Sequence, residues 1–249
     1  MLTQERYQSI LSIINERNAA TVTELALLLN TSESTIRRDL TALDEMGKIK
    51  KVYGGATSVS QNAGSFEDNV SLREGLMFEE KTEIAKYAAS MINNSDFVYI
   101  DAGTTTSRLI DFIDNQNATY VTNGIAHARK LIQKGLNAYV LGGKLKPLTE
   151  AVVGAEAIAN LGNLNFSKAF MGTNGIDLKS GFTTPDIEEA SVKEAAIKTS
   201  YMPFILADHT KFRRVFSVTF AQLRQCCIIT DALPDSKYSS ETVIKEVKI

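Results

Sequence analysis

The chain has 249 residues, 44% of them hydrophobic and 22% charged, with a formal net charge of −2. That balance supplies enough apolar side chain for a sizeable core and excludes wholesale disorder. No apolar run approaches the roughly 18–20 residues that span a bilayer, and the start of the chain, with Glu5 and a broken apolar pattern, does not make a signal peptide, so a cytosolic, non-membrane protein is expected. Two unequal domains suit the length. Cys226 and Cys227 are adjacent in an apolar run without redox or metal-ligand spacing and read as buried strand residues, so no metal is expected. Residues 1–57 hold seven Lys/Arg and seven Asp/Glu. A strongly basic DNA-binding domain is thereby excluded, and any such role must rest on segregated charge.

Thr3 as cap, then Tyr7, Ile10 or Leu11, and Ile14, predict a packing helix from about Thr3 to Glu16. Thr21 and Glu24 have capping-box spacing ahead of a short helix with Leu25, Leu28 and Leu29 on one face. Asn30 and Thr31 turn the chain into Ser32, which can cap a longer helix whose first turn carries Glu33. Ile36, Leu40 and Leu43 make its apolar stripe. Ser34, Thr35, Arg37, Arg38 and Thr41 are left off the buried face. An Arg-Arg pair alone reads as the solvated side of an ordinary helix. A short helix, a tight turn and a longer helix with exposed hydroxyls and arginines, here about Ala20 to Asp39, instead form a helix-turn-helix whose second helix reads the major groove. Met46 and Gly47 end that helix. Lys48 to Tyr53, a Gly54-Gly55 turn and Ala56 to Val59 alternate like a hairpin, a wing whose Lys48, Lys50 and Lys51 neutralise phosphates beside the groove. Ser32 and Tyr53 complete the expected set of DNA contacts.

Thr35-Ile36-Arg37-Arg38-Asp39-Leu40 with Leu43, Gly47 and Gly54-Gly55-Ala56 resembles the N-terminal domain of the DeoR family of bacterial transcription regulators. Tyr53 departs from the histidine common before the two glycines; an aromatic ring with a polar tip can still meet a phosphate or sugar. The expected winged helix-turn-helix spans residues 3–58. Ser58 to Ser65 is small and polar, and a linker over residues 59–74 is expected. The second domain then occupies residues 75–249.

From Glu79 a helical pattern carries Ile84, Ala88, Met91 and Ile92 on one face, with Phe78 positioned to staple its start. Six short apolar strands follow, each running straight into small or polar residues: Phe97 to Ile100, Tyr120-Val121, Ala138 to Leu141, Lys168 to Met171, Phe204 to Ala207, and Cys226 to Ile229. Helical segments at Thr105 to Ile113, Ile125 to Lys134, Ala155 to Leu161 and Ile187 to Tyr201 separate most of them. Such alternation predicts an α/β domain, Rossmann-like, with a mainly parallel sheet and a ligand site outside the strand carboxyl ends. Asp101-Ala102-Gly103-Thr104-Thr105-Thr106 joins strand to helix, where backbone N–H groups and hydroxyls suit an anion, most simply phosphate; the bland reading is a tight turn with a capped helix. It lacks nucleotide P-loop and dinucleotide spacing, so ATP and NAD are not expected and no cofactor is assigned. Asp101, Asn123, Asn174 and Asp208 supply hydrogen bonds for hydroxyls, and Lys193 and Lys211 supply charge.

The second domain resembles the DeoR-family effector domain, a fold similar to ribose-phosphate isomerases and glucosamine-phosphate deaminases, through Lys81, Asp101 to Thr105, Thr122-Asn123, Leu141-Gly142-Gly143, Gly172 to Gly175, Glu189-Ala190 with Lys193, and Asp208 to Lys211. The resemblance implies that Gly103 to Thr106 hold the phosphate while Asp101, Asn123, Glu189, Lys193, Asp208 and Lys211 surround the sugar. Thr122, Gly142, Gly143, Asn174 and Gly175 complete the implied effector site. Asn174 to Asp177 and Gly181 to Asp186 look most like members encoded with fructose-utilisation genes, so fructose 1-phosphate is the implied effector. The expected function is a repressor of a sugar-utilisation operon that binds double-stranded operator DNA under control of a phosphorylated sugar, as a homodimer or homotetramer, since paired half-sites need at least two copies. The alternative is a sugar-phosphate isomerase or deaminase with Glu189 or Asp208 as base and Lys193 opposing an enediolate; Glu189 and Lys193, four apart on a helix, can also simply pair.

Overall fold

The structure, a computed structural model, describes residues 3–17, 19–58 and 75–248. The chain divides into two units, residues 1–64 and 65–249. The expected linker, 59–74, and Val59 at the end of the expected hairpin lie outside the described residues.

In the first unit α1 (Thr3–Arg17) contains Thr3 rather than being capped by it, and is followed by β1 (Ala19–Thr21). Thr21 caps α2 (Val22–Leu28) in the expected capping box: its hydroxyl accepts the Glu24 amide at 3.2 Å, and the Glu24 carboxylate accepts the Thr21 amide at 2.8 Å. Ser32 caps α3 (Glu33–Glu45). Gly47 sits past its end at φ +67°, the left-handed conformation that lets the Lys48 amide turn back to the Leu43 carbonyl at 2.8 Å. The wing hairpin is β2 (Ile49–Val52) and β3 (Gly55–Ser58), and β3 also pairs with β1, making a three-stranded antiparallel sheet. A side chain at Gly55 would put its Cβ 2.3 Å from the Ala20 carbonyl, so this approach of β3 to β1 requires glycine. Ile10, Ile14, Leu25, Ile36, Leu40, Leu43 and Ile49 form the core. Behind α3 the buried Asp39 accepts both arms of Arg6, at 2.5 and 3.1 Å, which fixes the helix against α1.

The second unit opens with α4 (Phe78–Ser90), β4 (Phe97–Ile100), α5 (Thr104–Asp111), β5 (Thr119–Thr122), α6 (Ile125–Gln133) and β6 (Asn137–Val140). Phe78, expected to staple α4, lies under the Arg108 guanidinium, 3.6 Å from its ring centroid. A short hairpin follows, β7 (Lys144–Leu145) with β8 (Val152–Val153), then α7 (Ala155–Gly162), β9 (Phe166–Gly172), β10 (Gly175–Asp177), β11 (Gly181–Thr184), α8 (Ile187–Lys198), β12 (Ser200–Leu206), β13 (Val218–Ala221), β14 (Cys227–Thr230) and β15 (Ile244–Glu246). Seven strands form one sheet in the order β15-β14-β12-β9-β4-β5-β6, every pairing parallel. The six expected strands are all there, with β15 added at one edge. β10, β11 and β13 make a separate antiparallel sheet. The expected helix to Tyr201 stops at Lys198, because Ser200 and Tyr201 already belong to β12.

Alternation along the central strands explains the near-continuous apolar runs. Val98 and Ile100 face the layer of α4, α5 and α6, whereas Tyr99 faces α7 and α8. Of the two cysteines expected as buried strand residues, Cys226 is buried but closes the turn before β14, and Cys227, which opens the strand, is half-buried. At the amino end of the sheet Asp96 accepts from Lys168 Nζ at 2.5 Å, the Asn93 amide at 2.7 Å and the Ser167 hydroxyl at 2.8 Å. Burial pushes this carboxyl up, but those hydrogen bonds outweigh it and hold Asp96 below its ordinary 3.8. Asp96→Asn leaves Lys168 without its counter-charge, and urea unfolding at neutral pH should show a loss of about 3 kcal/mol. The difference from wild type should shrink as the pH falls from 3.8 through the lower folded value, because the native carboxylate then protonates and loses the same interactions.

Candidate functional site

Each unit gathers its own set of polar side chains. On α3, Ser32 accepts the Thr35 amide at 3.2 Å, and its hydroxyl lies 2.9 Å from those of Ser34 and Thr35. Arg37 reaches back one turn to Glu33 at 3.0 Å; the Thr23 hydroxyl bonds the same carboxylate, and these two partners keep Glu33 below the usual carboxylate range. Arg38 is exposed and meets no carboxylate among the described residues. Thr41 accepts from Lys51 Nζ at 2.7 Å, and Asp44 accepts the Lys51 amide at 2.8 Å, so the wing is tied to the flank of α3. Lys48 and Lys50 are exposed, and Tyr53 stands fully exposed at the wing turn. Arg37, Lys51 and Tyr53 border one groove between α3 and that turn.

In the second unit β4 and β9 are neighbours, yet from β4 the chain proceeds to β5 and β6, and from β9 it proceeds the other way to β12, β14 and β15. This reversal opens a crevice at the strand carboxyl ends, the usual ligand position in such sheets. A cavity of about 590 Å³, its open mouth included, occupies that place. Asp101, Gly103, Thr104, Thr105, Asn174, Glu189, Lys193 and Lys211 all line it. Gly103 is the cap of α5 and makes no side-chain cap bond, so the first amides of the helix are donors at the cavity rim.

Asp101 is buried and paired with Lys193 Nζ; it also accepts the Gly172 amide at 3.2 Å, while Lys193 donates to the Gly172 carbonyl at 3.1 Å. Burial pushes the Asp101 carboxyl up despite the pull of Lys193. Glu189 responds the other way: burial raises it, but Lys193, Lys146 at 2.9 Å and the Thr149 hydroxyl at 2.9 Å bring it below its ordinary value. Asp186 caps α8 by accepting the Glu189 amide at 2.9 Å and also meets Lys146 at 3.0 Å.

The remaining expected residues stand behind or beside the cavity. The Thr106 hydroxyl donates to the Asp101 carbonyl at 2.6 Å, and Thr122 Oγ1 accepts the Gly124 amide at 3.0 Å. Asn123 accepts the Ala102 amide at 2.9 Å and donates to the Val152 carbonyl at 3.3 Å. Gly142 donates its amide to Asn160 at 3.0 Å, Gly143 leads into β7, and Gly175 begins β10. Asp208 caps a short turn through the Thr210 amide at 3.1 Å and lies 3.9 Å from Lys211 Nζ. Three residues without an assigned role belong to the site. Lys81, visible in the sequence only as a matching residue, and Thr149 line the cavity, while Lys146 neutralises Glu189 from the β7–β8 hairpin.

Comparison with known proteins gives a matching family domain for each unit. Residues 6–62 match the DeoR-like helix-turn-helix domain and residues 77–232 the DeoR C terminal sensor domain. The chain is 40% identical over 252 residues to the uncharacterized HTH-type transcriptional regulator FruR of Bacillus subtilis, covering 100% of both chains. It is 35% identical to the HTH-type transcriptional regulator IolR of the same organism, over 94% of this chain and 93% of that one. It is 31% identical to a lactose phosphotransferase system repressor of Staphylococcus aureus, over 100% of this chain and 97% of the other. Among solved structures, ribose 5-phosphate isomerase A of Methanocaldococcus jannaschii aligns with TM-score 0.40 and 12% identity over 53% of each chain.

The back wall allows a direct check. A Cβ at Gly124 would lie 2.6 Å from His127 Nδ1, so Gly124→Val should destabilise the protein by about 1–3 kcal/mol in urea unfolding.

Proposed function

The chain belongs to the DeoR family of transcription regulators, and on that footing we propose that it represses a sugar-utilisation operon, binding double-stranded operator DNA until a phosphorylated sugar occupies the crevice between β4 and β9. The observation that carries this reading is the convergence on one cavity of the α5 amino end, Lys81, Lys193 and Lys211 with Asp101 and Glu189. Helix amides and lysines suit a phosphate; carboxylates that only accept hydrogen bonds suit sugar hydroxyls. Fructose 1-phosphate is the sugar we assign, following the likeness of Asn174 to Asp177 and Gly181 to Asp186 to fructose-operon members. Arg38 and Arg37 take base edges or phosphates, with Ser34, Thr35, Lys48, Lys50 and Tyr53 placing the groove. Two or four copies act together in the cytoplasm so that paired half-sites are read. Glu189 argues for binding rather than turnover: its depressed carboxyl is shifted away from the near-neutral range that suits a general base.

Thermal unfolding with a panel of sugar phosphates and their parent sugars tests the sensor half. A ligand at 100 times its dissociation constant stabilises the native state by about 2.7 kcal/mol. A shift of the midpoint with fructose 1-phosphate and none with fructose is expected; no shift across the panel would overturn the assignment. Thr105→Glu should abolish that shift while DNA affinity stays, because its carboxylate occupies the phosphate position. In a band-shift titration Arg38→Ala should weaken operator binding by about 1–3 kcal/mol with an unchanged unfolding midpoint. Equal affinity would remove Arg38 from the interface.

A further inference from the structure

We propose that His127, together with Asn123, positions the anion-binding loop: the pair holds Ala102 to Thr106 in its binding conformation from behind, without touching the ligand. This extends the sensor reading above to how its phosphate site is built.

The loop leaves β4 at Asp101 and enters α5 at Thr104, and its backbone has two supports outside its own helix. Asn123, at the end of β5, accepts the Ala102 amide at 2.9 Å, and its other arm is used on the Val152 carbonyl at 3.3 Å. With 2% of its surface exposed and both amide groups engaged with backbone, Asn123 serves the loop and not a sugar hydroxyl. One turn into α6, His127 brings Nε2 to 3.0 Å from the Gly103 carbonyl, 3.2 Å from the Thr106 hydroxyl and 3.3 Å from the Gly103 amide. The carbonyl can only accept, so the proton is assigned to Nε2, and the more distant Gly103 amide, itself a donor, lies beside the ring without a hydrogen bond to it. Thr106 directs its own proton to the Asp101 carbonyl at 2.6 Å, which leaves its oxygen able to accept from the ring.

Two further observations separate this from an ordinary core histidine. With the proton on Nε2, both acceptors it faces, the Gly103 carbonyl and the Thr106 hydroxyl, belong to the loop, whose Gly103, Thr104 and Thr105 line the cavity. The ring also demands a glycine: a Cβ at Gly124 would sit 2.6 Å from Nδ1. Burial lowers His127 to about 4, so at neutral pH it braces the loop as a neutral donor. A loop already held in place spares a ligand the entropy of ordering it, and such supporting contacts govern affinity as much as the touching residues do.

The test uses the full chain in two variants. His127→Leu keeps apolar volume and removes the donor; His127→Gln returns an N–H near the Nε2 position. Hydrogen exchange without ligand should accelerate about tenfold at residues 102–106 in His127→Leu while the sheet strands keep their protection, and His127→Gln should recover most of it. Fructose 1-phosphate and inorganic phosphate, titrated against each variant by thermal unfolding, should bind about tenfold more weakly to the Leu variant than to wild type, with recovery in the Gln variant. Unchanged exchange at 102–106, or loosening spread evenly through the unit, or no recovery with Gln, would overturn the proposal. If wild type responds to neither probe while the loop still loosens with Leu and recovers with Gln, the positioning role stands and the phosphate-sensor reading falls.

Discussion

The buried pair of Asp101 and Lys193 closes the crevice on which the second unit is arranged. Asp101 ends β4, Lys193 projects from α8, and both bond Gly172 at the end of β9, so one ion pair joins the two strands between which the sheet reverses. Burying a carboxylate and an ammonium is costly, and a well-packed apolar pair of the same volume is often as stable. What the ions provide is position. With both groups fixed on Gly172, the floor of the cavity is rigid and polar, and its open side is left to the loop before α5, to Lys81 and to Lys211.

Charge in the first unit is arranged by subtraction. Its balanced acidic and basic residues give no overall attraction for DNA, yet three of the four carboxylates of α3 are spent locally: Glu33 on Thr23 and Arg37, Asp39 on Arg6, Asp44 on the Lys51 amide. Arg38, Lys48 and Lys50 remain on exposed surface. The tie between Thr41 and Lys51 then keeps wing and helix in one register, which a reading head for a groove of fixed width requires.

Local signals carried most of the fold. The capping box at Thr21 and Glu24, the Ser32 cap and Gly47 beyond α3 each depend on residues within a turn of one another, so the sequence displays them directly. The strand ends at Asp101, Gly172 and Thr230 are legible for a similar reason, because a sheet covered on both faces demands apolar runs that stop abruptly. Features that depend on distant partners are not displayed in the sequence. β1 has three residues, too few for a period, and exists because β3 passes it; β10, β11 and β13 are short and find one another across 40 residues or so of chain. Lys146 and Thr149 are ordinary polar residues of a hairpin until folding brings Glu189 to them. Asn123 was legible as important and not as to purpose, since its sequence position is the same whether it faces a ligand or a loop.

The β7–β8 hairpin ties the cavity to the start of α8. Glu189 is satisfied in the structure by Lys146 and Thr149, both from the β7–β8 connection, and by the field of Lys193. A sugar hydroxyl that bonds Glu189 enters that existing set of donors, so the ligand must match or displace Thr149 and share the carboxylate with Lys146. Lys146 also holds Asp186, the cap of α8, and Lys144 of the same hairpin meets Glu188 at 2.8 Å. The first turn of α8 is therefore clamped by three carboxylates on two lysines of one short hairpin. Any rearrangement of donors around Glu189 acts on the first turn of the helix whose next turn carries Lys193, and through it on the ion pair at the sheet reversal. A ligand bound by hydroxyl and phosphate together bears on both ends of this arrangement, the α5 amino end and the α8 amino end, whereas either half alone bears on one.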